Sequence, residues 1–366
     1  MKAALRSRIS APAPYRVMVV DDSAVIRGLL TRTLEAEGGV EVVVSASNGQ
    51  MALDALRRHD IELVLLDVAM PVMDGITALP LLLRAQPDLK IIIVSSLTKS
   101  GAALTLKALA AGAADYVTKP TSAALTAGDA FRHELVEKVV GLAEARRVGV
   151  GAPRPASPQA PVSSGVLRPM PATAPEAIAI GASTGGPMAL SRIAEALKSG
   201  LRQPIFITQH MPPTFTAIFA AHLSRACGFL AAEARDGEPV AERRIYVAPG
   251  DNHMLIEGLE GARRIRLTKG PAENYCRPAV DPMLRSLAES YRAGLLAVIL
   301  TGMGQDGLGG GHAVVASGGT VVAQNQATSV VWGMPGAVAA AGLCSALLPL
   351  DEIGPFIARM AEGGAP

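Results

Sequence analysis

Ala177-Ile178-Ala179-Ile180-Gly181-Ala182-Ser183-Thr184-Gly185-Gly186 runs a short apolar stretch straight into a glycine-flanked turn that carries a hydroxyl. An apolar run without polar alternation reads as a strand buried on both faces. Glycine on either side lets the backbone take the sharp strand-to-helix path that exposes a serine oxygen, as in a G-x-S-x-G elbow. Ser183 is therefore a candidate nucleophile. A phosphate cradle or plain close packing carries the same glycine signature, so these residues alone leave those readings open.

Working outward, the pattern repeats. Downstream, Ile205–Thr208, Arg244–Val247, Leu296–Leu300 and Thr320–Ala323 read as further strands with helices between them, and hairpin-like segments around Leu255 to Leu267 predict a mixed sheet. Upstream, Gly149 to Pro175 is rich in Pro, Ala, Ser and Gly and has no hydrophobic period, which predicts a linker partly extended by its prolines. Before that linker, Val17–Val20, Val42–Ala46, Leu63–Leu66, Ile91–Val94 and Tyr116–Val117 alternate with amphipathic stretches. Five βα units with right-handed crossovers give one parallel sheet with helices on both faces. The expected division is a disordered tail over 1–14, a first α/β domain over 15–142, a linker over 143–175, and a second, doubly wound α/β domain with a mostly parallel sheet over 176–366.

Composition narrows the class. The 366 residues suit two domains, nearly half of the chain is apolar, and only 3% is aromatic, so Ala, Val, Leu and Ile must build the cores. A net charge of +2 selects no partner, and no basic run interleaved with aromatics marks a nucleic-acid surface. No apolar stretch approaches the ~18 residues of a membrane span, and no secretory signal opens the chain, so a cytoplasmic location without membrane insertion is expected. Cys227, Cys276 and Cys344 are odd in number and far apart, which argues against disulfides and zinc. One of them could serve as a nucleophile, but none sits on a glycine-flanked turn, and buried inert thiols are the commoner case.

In the first half, Asp21 and Asp22 end the first strand, Asp67 the third, and Lys119-Pro120 the fifth. Such ends share one edge of a parallel sheet, where α/β sheets carry their sites. Carboxylates crowded there raise one another's pKa unless a cation sits among them. Mg²⁺, which takes a few oxygens and keeps open positions, suits Asp22, Asp67 and the Ala69 carbonyl, with Lys119 meeting an incoming phosphoryl group on Asp67. The simpler alternative makes each Asp a helix N-cap. The set Val20-Asp21-Asp22-Ser23, Leu66-Asp67-Val68-Ala69-Met70-Pro71-Val72-Met73-Asp74-Gly75 and Lys119-Pro120 resembles the receiver domains of two-component response regulators, over about Tyr15 to Leu142. The resemblance implies a flavodoxin-like fold with Asp67 as phosphoacceptor, Asp21 and Asp22 as the acidic pair, and Ser95 and Tyr116 as the switch hydroxyl and aromatic. A capping hydroxyl at Ser95 and a half-buried Tyr116 are the plainer alternatives. Ala69 departs from the acidic or polar residue common at its position, which lowers the local charge.

A serine nucleophile needs a base, and the base an orienting acid. His59 and His133 read as surface residues, and His222 and His312 fall within helices. His210, after Ile205–Thr208, and His253, in a turn, remain. Chemistry favours His210, and for the acid it favours Asp306, in a glycine-rich loop after Leu296–Leu300, over Asp281, whose Asp-Pro pair is also an ordinary helix start.

Gly181-Ala182-Ser183-Thr184-Gly185-Gly186, Gln209-His210-Met211-Pro212, Ala248-Pro249-Gly250-Asp251-Asn252-His253-Met254, Thr301-Gly302-Met303-Gly304-Gln305-Asp306-Gly307 and the run Ala327 to Val338 resemble the catalytic domain of the CheB family, chemotaxis protein-glutamate methylesterases, over about Glu176 to Ala358. The resemblance implies Ser183 as nucleophile, His210 as base and Asp306 as orienting acid, with the Met303 N–H as oxyanion donor. It leaves Asn252 and His253 as cleft residues of structural or substrate-positioning kind, and Trp332 as core packing rather than contact. It further implies a phosphorylation-activated hydrolase that demethylates chemoreceptors and deamidates receptor glutamines. Methylated receptor helices and a chemotaxis histidine kinase would be the partners, with Mg²⁺ for the receiver and no cofactor for ester hydrolysis. A phosphorylation-controlled binding module without catalysis is the alternative.

Overall fold

The computed structural model describes residues 13–36, 38–119, 129–149, 167–171, 173–197 and 201–363. The expected tail, apart from residues 13 and 14, most of the expected linker, and Pro120 lie outside them.

The first half places β1 (Tyr15–Val20), β2 (Val40–Ala46), β3 (Leu63–Asp67), β4 (Lys90–Ser95) and β5 (Asp115–Thr118) in one parallel sheet, ordered β2-β1-β3-β4-β5. This is the flavodoxin-like winding, and the strand order reverses between β1 and β3. Helices α1 (Ala24–Glu35), α2 (Gly49–Leu56), α3 (Gly75–Ala85), α4 (Lys99–Ala110) and α5 (Asp129–Gly149) cover it. The four helices after strands β1 to β4 are capped by Ser23, Asn48, Asp74 and Thr98, whose side chains accept N–H groups of the first turns. Asp21 and Asp67 are thereby released from capping, and so is Ser95. Helix α5 continues to Gly149, past the boundary expected at Leu142, because Leu142 and Ala143 are still core residues and Arg147 returns to pair with Glu62 and stack on Tyr15.

The second half holds β6 (Ala177–Ala182), α6 (Gly186–Ala196), β7 (Ile205–Gln209), α7 (Pro213–Cys227), β8 (Ala231–Glu233) and β9 (Ile245–Val247). The hairpin of β10 (His253–Glu257) and β11 (Arg264–Thr268) follows, then α8 (Val280–Tyr291), β12 (Leu295–Ile299), α9 (Leu308–Ala316), β13 (Thr320–Gln324), α10 (Met334–Ala340), β14 (Cys344–Leu348) and α11 (Leu350–Ala361). Seven strands pair in parallel in the order β14-β13-β12-β6-β7-β9-β8. The antiparallel hairpin makes a separate two-stranded sheet, so it does not mix the main one as its position in the sequence suggested. Every residue of β6, β7, β12 and β13 is buried, which is why these strands read as unbroken apolar runs. The winding reverses between β6 and β12. The crevice beyond their carboxyl ends is where a ligand site is expected in such a sheet.

Candidate active site and phosphoacceptor pocket

Three loops leave that edge of the second sheet side by side. The turn after β6 carries Ser183, whose N–H donates to the Thr301 carbonyl and whose own carbonyl accepts the Gly186 N–H. Gly185 holds φ at +77°, and a Cβ there would lie 2.6 Å from Val330 Cγ2, so conformation and space both require glycine. His210 stands one residue beyond β7, with Nδ1 3.1 Å from Ser183 Oγ and Nε2 2.8 Å from Asp306 Oδ2.

Asp306 is buried in the loop between β12 and α9, against the first turn of α8. Its carboxylate accepts the Val280 N–H at 2.6 Å and the Asp281 N–H at 2.9 Å, with Gly307 N–H and Asn274 Nδ2 completing the cradle. Burial alone would push the carboxyl up, but the imidazole and these helix-terminal N–H groups hold it below its ordinary value. An ionised Asp306 accepts Nε2–H and leaves the Nδ1 lone pair facing the hydroxyl. The two ring nitrogens are placed in the reverse of the order common in Ser-His-Asp rows. For His210, burial favours the neutral ring, yet Cys276 and Asp306 outweigh it and raise its pKa.

The competing residues do other work. Asp281 takes the Gly307 and Gly310 N–H groups on Oδ1 and Asn274 Nδ2 on Oδ2, bracing the loop that carries Asp306. His253 opens β10 rather than sitting in a turn. It is buried, with Nε2 2.9 Å from the Pro271 carbonyl and Nδ1 accepting the Ala279 N–H, so both ring nitrogens are engaged away from the cleft. Asn252 donates to the Gly250 carbonyl. Trp332 is part-buried against the core. The 301–303 loop presses on Ser183: a Cβ on Gly302 would lie 2.9 Å from Ser183 Cβ. Among the described residues none accepts the Met303 N–H, so it is available to an outside acceptor.

Two neighbours of His210 were missed by sequence reading. Cys276 Sγ lies 3.3 Å from Nδ1, and Asn274 bridges the two acids. Both belong to the loop that enters α8. Their one signal is position, just ahead of the Asp281-Pro282 helix start.

In the first sheet, Asp21, Asp22 and Asp67 bring carboxylate oxygens within 4.8 Å of one another. Lys119 Nζ lies 2.8 Å from both Asp21 Oδ2 and Asp67 Oδ2. Burial pushes the Asp67 carboxyl up in spite of that lysine, so the pocket has unmet demand for positive charge. An all-oxygen set of this kind fits a hard divalent cation. Ser95 is buried on β4; its Oγ accepts the Thr105 hydroxyl of α4 at 2.7 Å, and its carbonyl accepts the Lys119 N–H. Tyr116 is fully buried rather than half-buried, and its ring stacks on Phe215 of α7 at 4.8 Å, with Lys138 Nζ over the ring.

That stack crosses between the halves. Helix α4 packs on α6 and α7, His133 meets Tyr275, and Val331 joins the apolar cluster of Leu135, Val139 and Leu142. Met303 packs there as well, so tightly that a Cβ on Gly141 would lie 2.0 Å from Met303 Cε. The α4-β5-α5 face therefore sits on the rim formed by Phe215, Tyr275, Met303 and Val331.

Residues 178–357 match the CheB methylesterase family and residues 17–127 the response regulator receiver domain. The protein-glutamate methylesterase/protein-glutamine glutaminase 1 of Paramagnetospirillum magneticum is 54% identical over 96% of this chain and 99% of its own. The protein-glutamate methylesterase/protein-glutamine glutaminase of Azospirillum brasilense is 55% identical over 96% and 94%. Among solved structures, the catalytic domain of Thermotoga maritima CheB methylesterase is 40% identical, covering 50% of this chain and 98% of that one, with a TM-score of 0.49.

Proposed function

The chain belongs to the CheB family of methylesterases, and from that membership we propose that it hydrolyses γ-glutamyl methyl esters of chemoreceptors under the control of its receiver domain. Ser183 Oγ attacks the ester carbonyl as its proton passes to His210 Nδ1, and Asp306 holds the ring and stabilises the imidazolium. The Met303 N–H receives the developing oxyanion; one such donor is worth about 10²–10³ in turnover. The imidazolium returns its proton to the departing methoxide, methanol leaves, and water resolves the acyl-enzyme by the same relay. Glutamine deamidation follows the same path with ammonia leaving. The observation that carries this reading is the hydrogen-bonded row Ser183–His210–Asp306 at the carboxyl edge of a parallel sheet.

Control begins at Asp67, phosphorylated by a chemotaxis histidine kinase. Asp22, Asp67 and the Ala69 carbonyl would hold Mg²⁺, which when bound supplies positive charge against the phosphoryl oxygens. Lys119 meets the same group. Ser95 connects this pocket to α4 through Thr105, and Tyr116 reaches α7, the helix that begins three residues after His210. The unphosphorylated receiver holds the rim of the cleft; phosphorylation favours a state that holds it less well. We assign residues 15–142 to the receiver core and 176–366 to the hydrolase, with α5 running on into the connecting segment. Among the described residues no helix is long and apolar enough to cross a membrane. The chain works in the cytoplasm on the receptor's cytoplasmic helices. No observation favours a non-catalytic binding module.

Methanol release from methylated receptor membranes, with Mg²⁺ and a small-molecule phosphodonor, tests the whole reading. Release that rises with the donor is expected; none under any condition would overturn the assignment. Tyr116→Ala should raise the donor-independent rate several-fold, because it removes an aromatic pair worth about 0.5–1.5 kcal/mol from the closed interface. An unchanged basal rate in a folded variant would take Tyr116 out of the coupling.

A further inference from the structure

The Nδ1 lone pair of His210 has two claimants. Ser183 Oγ approaches it at 3.1 Å and Cys276 Sγ at 3.3 Å, while Nε2 is committed to Asp306. We propose that Cys276 is a positioning residue that competes with Ser183 for the general base and so sets the pH above which the hydrolase works. This rests on the reading of Ser183 and His210 as nucleophile and base.

The competition follows from valence. A neutral imidazole bonded through Nε2–H to a carboxylate has one acceptor position left. A Cys276 thiol that donates its hydrogen to Nδ1 withholds that position from the serine hydroxyl. A Cys276 thiolate instead pairs with the imidazolium, and a protonated ring cannot take the serine's proton. Both states are broken when Ser183 gains the base, and both cost more in a buried site than in water. His210 and Asp306 are largely sequestered, so the sulfur acts at close quarters. Arg277, the residue after Cys276, is tied to Asp251. Asp306 faces Nε2, Asp281 stands behind it through Asn274 and Gly307, and Arg285 is tied to Glu273. From the receiver, His133 contacts Tyr275, the residue before Cys276. Against the burial that favours a neutral ring, Cys276 on Nδ1 and Asp306 on Nε2 raise the pKa of His210. Cys227 and Cys344 are buried elsewhere and make no such contact.

The test is the pH profile of kcat/KM for receptor demethylation by full-length wild type, Cys276→Ala and Cys276→Ser. The acid limb of Cys276→Ala should move down by about one pH unit, with an undiminished plateau. Cys276→Ser, which keeps a donor but not the thiolate, should lie at the alanine position or between it and wild type. A variant that was merely loosened would lose plateau rate without moving the limb. Limbs coincident with wild type in both variants overturn the proposal. A second reading needs no turnover: in a Ser183→Ala background, the NMR titration of the His210 ring protons should fall on removal of Cys276, and an unmoved midpoint overturns the proposal. Ser183→Ala activity near wild type would instead overturn the nucleophile reading, so the two failures are distinguishable.

Discussion

On the proposed mechanism, Ser183→Ala is expected to lower kcat for methyl-ester hydrolysis by on the order of 10⁴-fold or more, because His210 and Asp306 then have no hydroxyl to act on. The loss should be confined to chemistry. Phosphorylation of Asp67 by a small-molecule donor should proceed as in wild type, since the acidic pocket and Ser183 occupy the edges of separate sheets. Methanol release and phosphorylation measured on the same preparation check both halves of the statement. Activity within about tenfold of wild type would mean that another group attacks the ester.

The second large effect is on control. Asp67→Asn should abolish the response to the phosphodonor, leaving the rate of the unphosphorylated protein with or without it. An amide cannot take the phosphoryl group as a carboxylate does. Lys119 would keep its other partner, Asp21, so the fold of the pocket should survive. A donor that changes a state's population does so only through a difference between states, and the substitution removes that difference. Donor-stimulated methanol release by Asp67→Asn would place the phosphoacceptor elsewhere.

Both sheets were legible because each central strand is an apolar run buried on both faces, and the loops at their carboxyl ends carry the chemistry. Ser183, His210 and Asp306 could be ranked from residue type and loop position, since a parallel sheet brings such loops together. The short edge strands β8 and β14 were not legible: Ala231–Glu233 is three residues long, and Cys344–Leu348 is interrupted by Ser345 and only partly buried. The contacts of Cys276 and His253 were not legible for one shared reason. Their surroundings come from chain segments distant in sequence, so the Cys276 thiol lies against His210, and the His253 ring turns to the carbonyl of Pro271. Tyr116 could not be placed from sequence because its stacking partner, Phe215, lies in the other half of the chain.

Gly141 gives this architecture a mark that can be looked for in other chains. A glycine in the interior of a helix costs about 1 kcal/mol relative to alanine, and α5 carries one where the methyl of Met303 comes to rest. What the helix gives up in stiffness it recovers as nearness to the loop that also bears Asp306. A related chain with a side chain at that position would have to turn the flexible end of its Met303 counterpart aside to keep the receiver this near.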